Sequence, residues 1–477
     1  MMIDERALLA PFPAEVLIDP RRVALDAVRP ATVLVVLDDD PTGTQSVADI
    51  PVLTSWEASD FAWAFKQDAP AVYVLTNTRS LDAETAAQRN REIVTAALTA
   101  SVSSGITVSF ASRGDSTLRG HFPLETDVIA ETVLAATGSS VDAVIIVPAF
   151  PDAGRITIDS VHYMRTSNGL TPVAKTEFAR DATFGYANSN LRDYVAEKSH
   201  GRWAADDVVA LTLDIVRGGT EGIVEALSIL ADSTPVVVDI VTENDLRALA
   251  LGLAAAEDVG KNLLYRVGPP FVRARIGQAQ RAPLDSLEVF GADGSAAVGG
   301  LIVVGSHVGL TTRQLSSLIA GRPLAAVLEL DIEQVLGADT AKVHLAALVE
   351  TAVACLAEGD VVIHTSRMLH SADDADESLD ISRRVSAAVV ELVQQILAAR
   401  PPRFVIAKGG ITSSDVASHG LGIRHAIVRG PMLPGLVSLW EPVDGPAQGI
   451  PYIVFAGNVG GDESLTEVVT TLSSIAA

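Results

Sequence analysis

The chain has 477 residues, 48% hydrophobic and 20% charged, enough for two or three globular domains with sizeable cores. Its 35 basic and 59 acidic residues give a formal charge of −24, and no basic run reverses that sign locally, so a nucleic-acid partner is not expected. A lone cysteine excludes an intrachain disulfide, and no stretch reaches the about 18 uninterrupted apolar residues of a membrane helix. The N-terminus carries Asp4 and Glu5 and no long apolar core, so no signal peptide is read and a cytoplasmic protein is expected. The apolar composition permits a homodimer without requiring one.

In chain order, an N-terminal extension (1–30) precedes a first domain (31–290). Strand-like runs at Val33–Leu37, Ala71–Leu75, Thr107–Ala111, Ala143–Val147, Val208–Leu213 and Val236–Ile240 alternate there with helical patterns. Helices are expected to open near Ser80–Glu84 and at Asp245. The glycine-rich stretch Gly291–Gly300 reads as the domain boundary. A second domain (300–477) restarts the alternation with Leu301–Val304, Pro323–Leu330, Val361–His364, Phe404–Ala407, His425–Val428 and Tyr452–Phe455. The expected architecture is two α/β domains with mostly parallel sheets facing a cleft. Cys355, within Thr351-Ala-Val-Ala-Cys-Leu, reads as a buried helix residue.

The first strand runs directly into Asp38-Asp39-Asp40-Pro41-Thr42-Gly43. Ligands of open α/β sheets sit outside the carboxyl ends of the strands, so these carboxylates point at a site. Three adjacent carboxylates repel one another unless a cation, a basic partner or substrate hydroxyls offset the repulsion. The alternative is a solvated acidic turn that caps a helix through Thr42 or Thr44. Further strand ends carry Thr76-Asn-Thr-Arg-Ser80, Ser112-Arg-Gly-Asp-Ser-Thr-Leu-Arg-Gly-His-Phe122 and Pro148-Ala-Phe-Pro-Asp-Ala-Gly-Arg155. Arg113 and Arg119 offer planar forks to a carboxylate or phosphate, while the alternative for Arg113 is a loop salt bridge to Asp115. His121 reads as structural.

In the second domain, strands run into Gly305-Ser306-His307, Lys408-Gly-Gly-Ile-Thr-Ser-Ser-Asp415 and Gly457-Asn-Val-Gly-Gly-Asp462. Singly each is an ordinary strand-to-helix turn; together they read as a nucleotide-phosphate site, with a helix starting near Ser413 or Ser414. Lysine is scarce, six of the 35 basic residues, which makes Lys408 in a glycine loop a candidate point charge. A Walker-type loop, a dinucleotide fingerprint, a nucleophile elbow and paired His or Cys ligands at metal spacing are all missing.

With these motifs the chain resembles the four-carbon acid sugar kinase family from about Val33 to Asp462. The matching pieces are Asp39–Gly43, Thr76–Ser80, Asp115–Gly120, Pro148–Asp152, Lys408–Ser413 and Gly457-Asn458. The resemblance implies an N-terminal acid-sugar-binding domain and a C-terminal nucleotide-binding domain. It also implies transfer of the ATP γ-phosphate to a hydroxyl of threonate, erythronate or a 3-oxo-tetronate. Carried over by position, Asp39 and Asp40 are the catalytic candidates, and Arg79, Arg113, Asp115, Arg119 and Asp152 line the acid-sugar side. Ser306, Lys408, Gly409, Gly410, Ile411, Thr412 and Gly457 fall on the ATP side, with Mg²⁺ expected on the phosphates and no metal-ligating residue assigned. With that activity, one of Asp39 and Asp40 is expected to orient or deprotonate the sugar hydroxyl, and Arg113 or Arg119 to grip its carboxylate. Many members carry an acidic residue where this chain has Ile411, and a Gly-Asn-Phe-Gly loop where it reads Gly-Asn-Val-Gly. These departures leave open a nucleotide-responsive sugar-acid-binding protein without transfer activity, and a lyase or aldolase is a third reading.

Overall fold

Strand Thr32–Asp38 (β1) is seven residues of almost wholly buried, mainly β-branched chain, the pattern of a parallel strand covered on both faces. The computed structural model to which it belongs describes residues 3–166, 169–291, 298–337, 339–366 and 375–474. Contacts divide the chain into two units, Met1–Gln280 and Arg281–Ala477.

The first unit continues with Ile50–Leu53 (β2), Ala71–Leu75 (β3), Thr107–Arg113 (β4), Ala143–Val147 (β5), Arg155–Ile158 (β6), Val161–Thr166 (β7), Gly169–Pro172 (β8), Val209–Leu211 (β9), Thr234–Val238 (β10) and Leu263–Val267 (β11). Eight of these form a parallel sheet in the order β2-β3-β1-β4-β11-β5-β10-β9, and β6-β7-β8 form an antiparallel sheet of their own. The strand order reverses at β1, whose neighbours are β3 and β4. Asp38 therefore ends the strand at the topological switch point, where α/β sheets open a ligand crevice. The helix Ala83–Ser104 covers this sheet, capped by Asp82 through the Thr85 N–H and closed by Gly105 at φ 66°. Its Ile93, Val94 and Ala97 join Val35, Leu37, Val72 and Val74 in one core. The N-terminal extension packs into this unit as well, with Ile18, Val23 and Ala27 against Ala250, Leu251 and Ala254.

The second unit holds Leu301–Val304 (β12), Ala326–Leu330 (β13), Val361–Thr365 (β14), Val405–Lys408 (β15), His425–Leu433 (β16), Val437–Pro442 (β17) and Tyr452–Phe455 (β18). Their order is β13-β14-β12-β15-β18-β17-β16, parallel through β18 and antiparallel beyond it. The order reverses at β12, so the chain repeats the switch-point device there.

The division falls before residue 290. The helix Ser286–Phe290 belongs with the second unit because Val289 and Phe290 pack on its core and the Leu284 N–H bonds the Pro431 carbonyl at 2.8 Å. Most of the expected glycine-rich boundary, 292–297, lies outside the described residues. Cys355 ends the helix Ala341–Cys355 and is half-buried rather than buried. Strands β2, β6–β8, β11 and β17 go beyond the sequence reading.

Candidate functional site

The three carboxylates that leave β1 separate into three environments. Asp38 lies opposite Arg113 in the β1–β4 register and pairs with it in the interior. Burial pushes its pKa up to about 7, against the pull of Arg113. Asp39 is 1% exposed, and neither of its carboxylate oxygens accepts a hydrogen bond. Its ion pair with Arg113 Nη1 spans 3.4 Å, and burial raises its pKa while Arg79 and Arg113 oppose the rise. Asp40 is engaged structurally. It accepts from Thr42 N–H at 2.9 Å and Thr42 Oγ1 at 2.6 Å, capping the short helix Pro41–Ser46, and pairs with Arg79. The cap is thus the Asp40 carboxylate rather than Thr42 or Thr44, and the turn it caps is buried rather than solvated. Gly43 is required because a Cβ there would enter the Asp38 carboxylate and the Arg113 guanidinium.

The β3 end locks onto this turn: Thr76 Oγ1 donates to the Asp38 carbonyl at 2.9 Å, and Arg79 N–H to the Asp39 carbonyl at 3.3 Å. Arg113 pairs with Asp38 and Asp39, so the alternative of an Arg113–Asp115 bridge gives way to another pairing. Asp115 takes Arg119 Nε at 2.6 Å and Arg79 Nη1 at 3.8 Å. Burial opposes ionisation of Asp115, but Arg79 and Arg119 outweigh it and hold the carboxyl well below the usual range. Arg119 also faces Asp181 at 3.8 Å and lies over the Phe178 ring at 5.0 Å. Asp39, Asp40, Arg79, Arg113, Asp115 and Arg119 are therefore brought into one linked charge cluster.

Three side chains absent from the sequence reading fix the loop that carries Asp115 and Arg119. His162 Nε2 donates to the Ser116 carbonyl at 2.8 Å, Tyr186 Oη to Thr117 at 2.7 Å and Tyr194 Oη to Leu118 at 2.9 Å. Three consecutive carbonyls are thereby satisfied, and Leu118 is held at φ 69°, a left-handed conformation unusual for leucine. Thr157 Oγ1 lies 2.9 Å from His162 Nδ1, and burial lowers the imidazole pKa to about 4, which keeps the ring neutral with Nε2 as its donor. Glu125 and Arg266 form a buried pair behind the cluster, both bonded to Ser112. Arg266, a charge inside the apolar run Leu-Leu-Tyr-Arg-Val, was the available sequence signal. Asp152 joins a different set: Arg273 at 2.9 Å and Gln280 at 2.7 Å. His121 bonds the Leu81 carbonyl at 2.9 Å and packs edge-on against Phe184, a structural placement.

In the second unit, three glycine loops converge on Ser306 and Thr412. A Cβ on Gly305 would run into Thr412, one on Gly409 would meet Ser306 Cβ at 3.3 Å and Thr412 Oγ1 at 3.0 Å, and one on Gly457 would meet Ser306 Cβ at 3.1 Å. Gly409 also takes φ 133°, a backbone that side chains rarely adopt. The helix here is Gly410–Asp415, earlier than Ser413. Its first amides, at Gly410, Ile411 and Thr412, precede the Ser413 N–H bond to the Gly409 carbonyl at 2.9 Å. The side chain of Ile411 lies outside the described residues. Thr311 and Gln314 fix the third loop through the carbonyls of Gly457, Val459 and Gly461 at 2.7–3.0 Å. Lys408 turns inward. Its Nζ donates to the Ala456 carbonyl at 2.9 Å and sits 3.9 Å over the Phe455 ring, and burial lowers its pKa to about 7.

Residues 34–275 match the family model of a sugar-binding N-terminal domain, and residues 301–465 that of a nucleotide-binding C-terminal domain. The chain belongs to the four-carbon acid sugar kinase family. The two matches fall inside the two units of the fold. Among solved structures, a candidate tRNA synthase from Salmonella typhimurium LT2 is 18% identical, with 91% of this chain and 98% of that one covered and a TM-score of 0.65. A Haemophilus influenzae protein of the DUF1537 family is 16% identical over 92% and 100% of the two chains, with a TM-score of 0.60. Both share the fold. No curated protein matches the chain. Among the described residues, no group of three or more His, Cys, Asp or Glu is placed to hold a metal ion, and no helix is long and apolar enough to cross a membrane.

Proposed function

We propose that this protein transfers the γ-phosphoryl group of ATP to a hydroxyl of a four-carbon acid sugar: threonate, erythronate or a 3-oxo-tetronate. One observation carries the reading. Asp39, a buried carboxylate whose oxygens accept no hydrogen bond and which meets Arg113 in a 3.4 Å ion pair, stands in the strand-end charge cluster of the unit that matches a sugar-binding domain, while the other unit matches a nucleotide-binding domain. Phosphoryl transfer asks mainly for positioning and charge neutralisation. The substrate oxygen attacks the γ-phosphorus, the bond to the bridging oxygen breaks, ADP departs, and the hydroxyl proton passes to the base.

Asp39 is the base in this reading, because Asp40 already accepts from Thr42 and Arg79. A raised pKa brings a carboxylate closer to the range in which a general base works well at neutral pH. Arg79, Asp115 and Arg119 frame the sugar hydroxyls, and Arg113 holds Asp39 in place. Ser306, Gly409–Thr412 and Gly457 cradle the phosphates in this reading, with the glycines letting the three loops close on Ser306 and Thr412. Mg²⁺ carried on the nucleotide would neutralise the charge of the phosphates there.

The test is ADP release from Mg-ATP against D- and L-threonate, D- and L-erythronate and their 3-oxo forms. Release with one or two of these acids is expected. Silence across the set with ATP bound would favour a sugar-acid-binding protein without transfer, and consumption of an acid without ATP would favour a lyase or aldolase.

A further inference from the structure

Arg155 opens β6 immediately after the β5 end loop. Its backbone is fixed by Phe150 in both directions: Phe150 N–H donates to the Arg155 carbonyl at 2.8 Å, and Arg155 N–H to the Phe150 carbonyl at 2.9 Å. The half-buried side chain lies within electrostatic reach of Asp115, Arg119 and His162. Among the described residues its guanidinium makes no hydrogen bond or ion pair, and its buried Nε has no partner.

The other guanidiniums of the cluster are all matched. Arg79 faces Asp40 and Asp115, Arg113 faces Asp38 and Asp39, Arg119 faces Asp115 and Asp181, and Arg266 faces Glu125. Burial lowers the pKa of Arg155, whereas for Arg113 and Arg119 the same burial is outweighed by Asp38 and Asp115. An unmatched cation in a desolvated position is unfavourable unless a ligand completes it, and a planar guanidinium fits the two oxygens of a carboxylate in parallel.

We propose that Arg155 receives the carboxylate of the acid substrate, while Arg113 and Arg119, the sequence candidates for that task, position Asp39 and Asp115. The inference rests on the reading of the first unit as an acid-sugar site. It assigns the acid group to β6 and leaves the hydroxyls to the Asp39 cluster.

The test uses the full chain with Arg155→Gln and Arg155→Lys. Calorimetric titration with threonate and erythronate is run beside the neutral alditols threitol and erythritol, and beside ATP. Arg155→Gln is expected to weaken acid binding about 30-fold or more, the scale for truncating one partner of a buried charge pair. Alditol and ATP binding should not change, and the unliganded variant should melt no lower than the parent, because no internal partner is lost. Arg155→Lys keeps the charge without the fork and should fall between the two. Equal acid affinity in parent and Arg155→Gln would overturn the inference, as would a parallel loss for acid and alditol or a loss for ATP instead. ADP release separates the two levels of the argument. Acid binding that depends on Arg155 without ADP release removes the kinase reading alone, and ADP release with an unchanged KM for the acid in Arg155→Gln removes this inference alone.

Discussion

Both units reverse their strand order at the first strand, yet they furnish the switch point with opposite materials. At the end of β1 the chain gathers carboxylates and guanidiniums in alternation: Asp38 and Asp39 on Arg113, Asp40 and Asp115 on Arg79, Asp115 and Asp181 on Arg119. At the end of β12 it gathers glycines and hydroxyls around Ser306 and Thr412, and the nearby cation, Lys408, is folded inward onto Phe455 and Ala456. In the proposed function the difference would follow from what each ligand brings. A small hydroxy acid carries one charge and several hydroxyls, so the protein must supply fixed partners in a defined geometry. A nucleotide would bring its own phosphates, with magnesium on them, so the protein need supply mainly backbone amides.

The largest expected effect lies in the charged unit. Arg113→Gln removes the shared partner of Asp38 and Asp39, two carboxylates that are each no more than 2% exposed. Breaking a buried pair on one side typically costs about 3–5 kcal/mol, and denaturant unfolding of the first unit should show a loss on that scale. A loss below about 1 kcal/mol would mean that the cluster is far better hydrated than its burial indicates.

Next comes the division of labour between neighbouring aspartates. Asp39→Asn should lower kcat by about 100-fold or more with the KM for ATP unchanged, as expected for loss of a general base. Asp40→Asn should act mainly through stability, because Asp40 caps the Pro41–Ser46 turn and holds Arg79. Burial raises the pKa of Asp39, and the base must be ionised to take a proton. The acid limb of kcat/KM should therefore lie above the ordinary carboxylate value of 3.8. Equal kcat losses in the two variants would dissolve the distinction between a carboxylate that accepts no hydrogen bond and a capping one.

Both switch points were legible from sequence at their strand ends. The Asp38–Asp40 run, Arg79 and the Arg113–Arg119 loop announce themselves because charges at the ends of apolar strands are locally conspicuous. The glycine loops at 305, 409 and 457 are legible for a related reason, since glycine at a strand end marks a close approach. What the sequence hides is the set of partners distant along the chain. Glu125 sits on a helix, and His162, Tyr186 and Tyr194 lie in segments with no motif; each reaches the site only through the topology, and Arg266 alone is marked, by its charge inside the apolar β11 run. Lys408 illustrates the converse. Its place in a glycine loop suggested a phosphate contact, but the last residue of a central parallel strand can direct its side chain into the layer beneath, and there the ammonium found the Ala456 carbonyl.

That inward lysine yields the smallest effect and the clearest pH signature. Its folded pKa, lowered to about 7 by burial, lies below the ordinary 10.5. Between these values the unfolded chain binds the proton and the folded chain does not, so this group makes stability rise with pH from about 7 to 10.5 and withdraws that contribution as pH falls back through 7. Lys408→Met removes the titration and also leaves the Ala456 carbonyl without its donor, a pH-independent cost of about 1–3 kcal/mol. The difference in unfolding free energy between parent and variant should therefore shift in favour of the parent as pH rises over that interval. A pH-independent difference would mean that the ammonium stays charged in the fold, with the Phe455 ring and the carbonyl sufficient to hold it, and the second unit would then carry a permanent buried cation beneath its glycine loops.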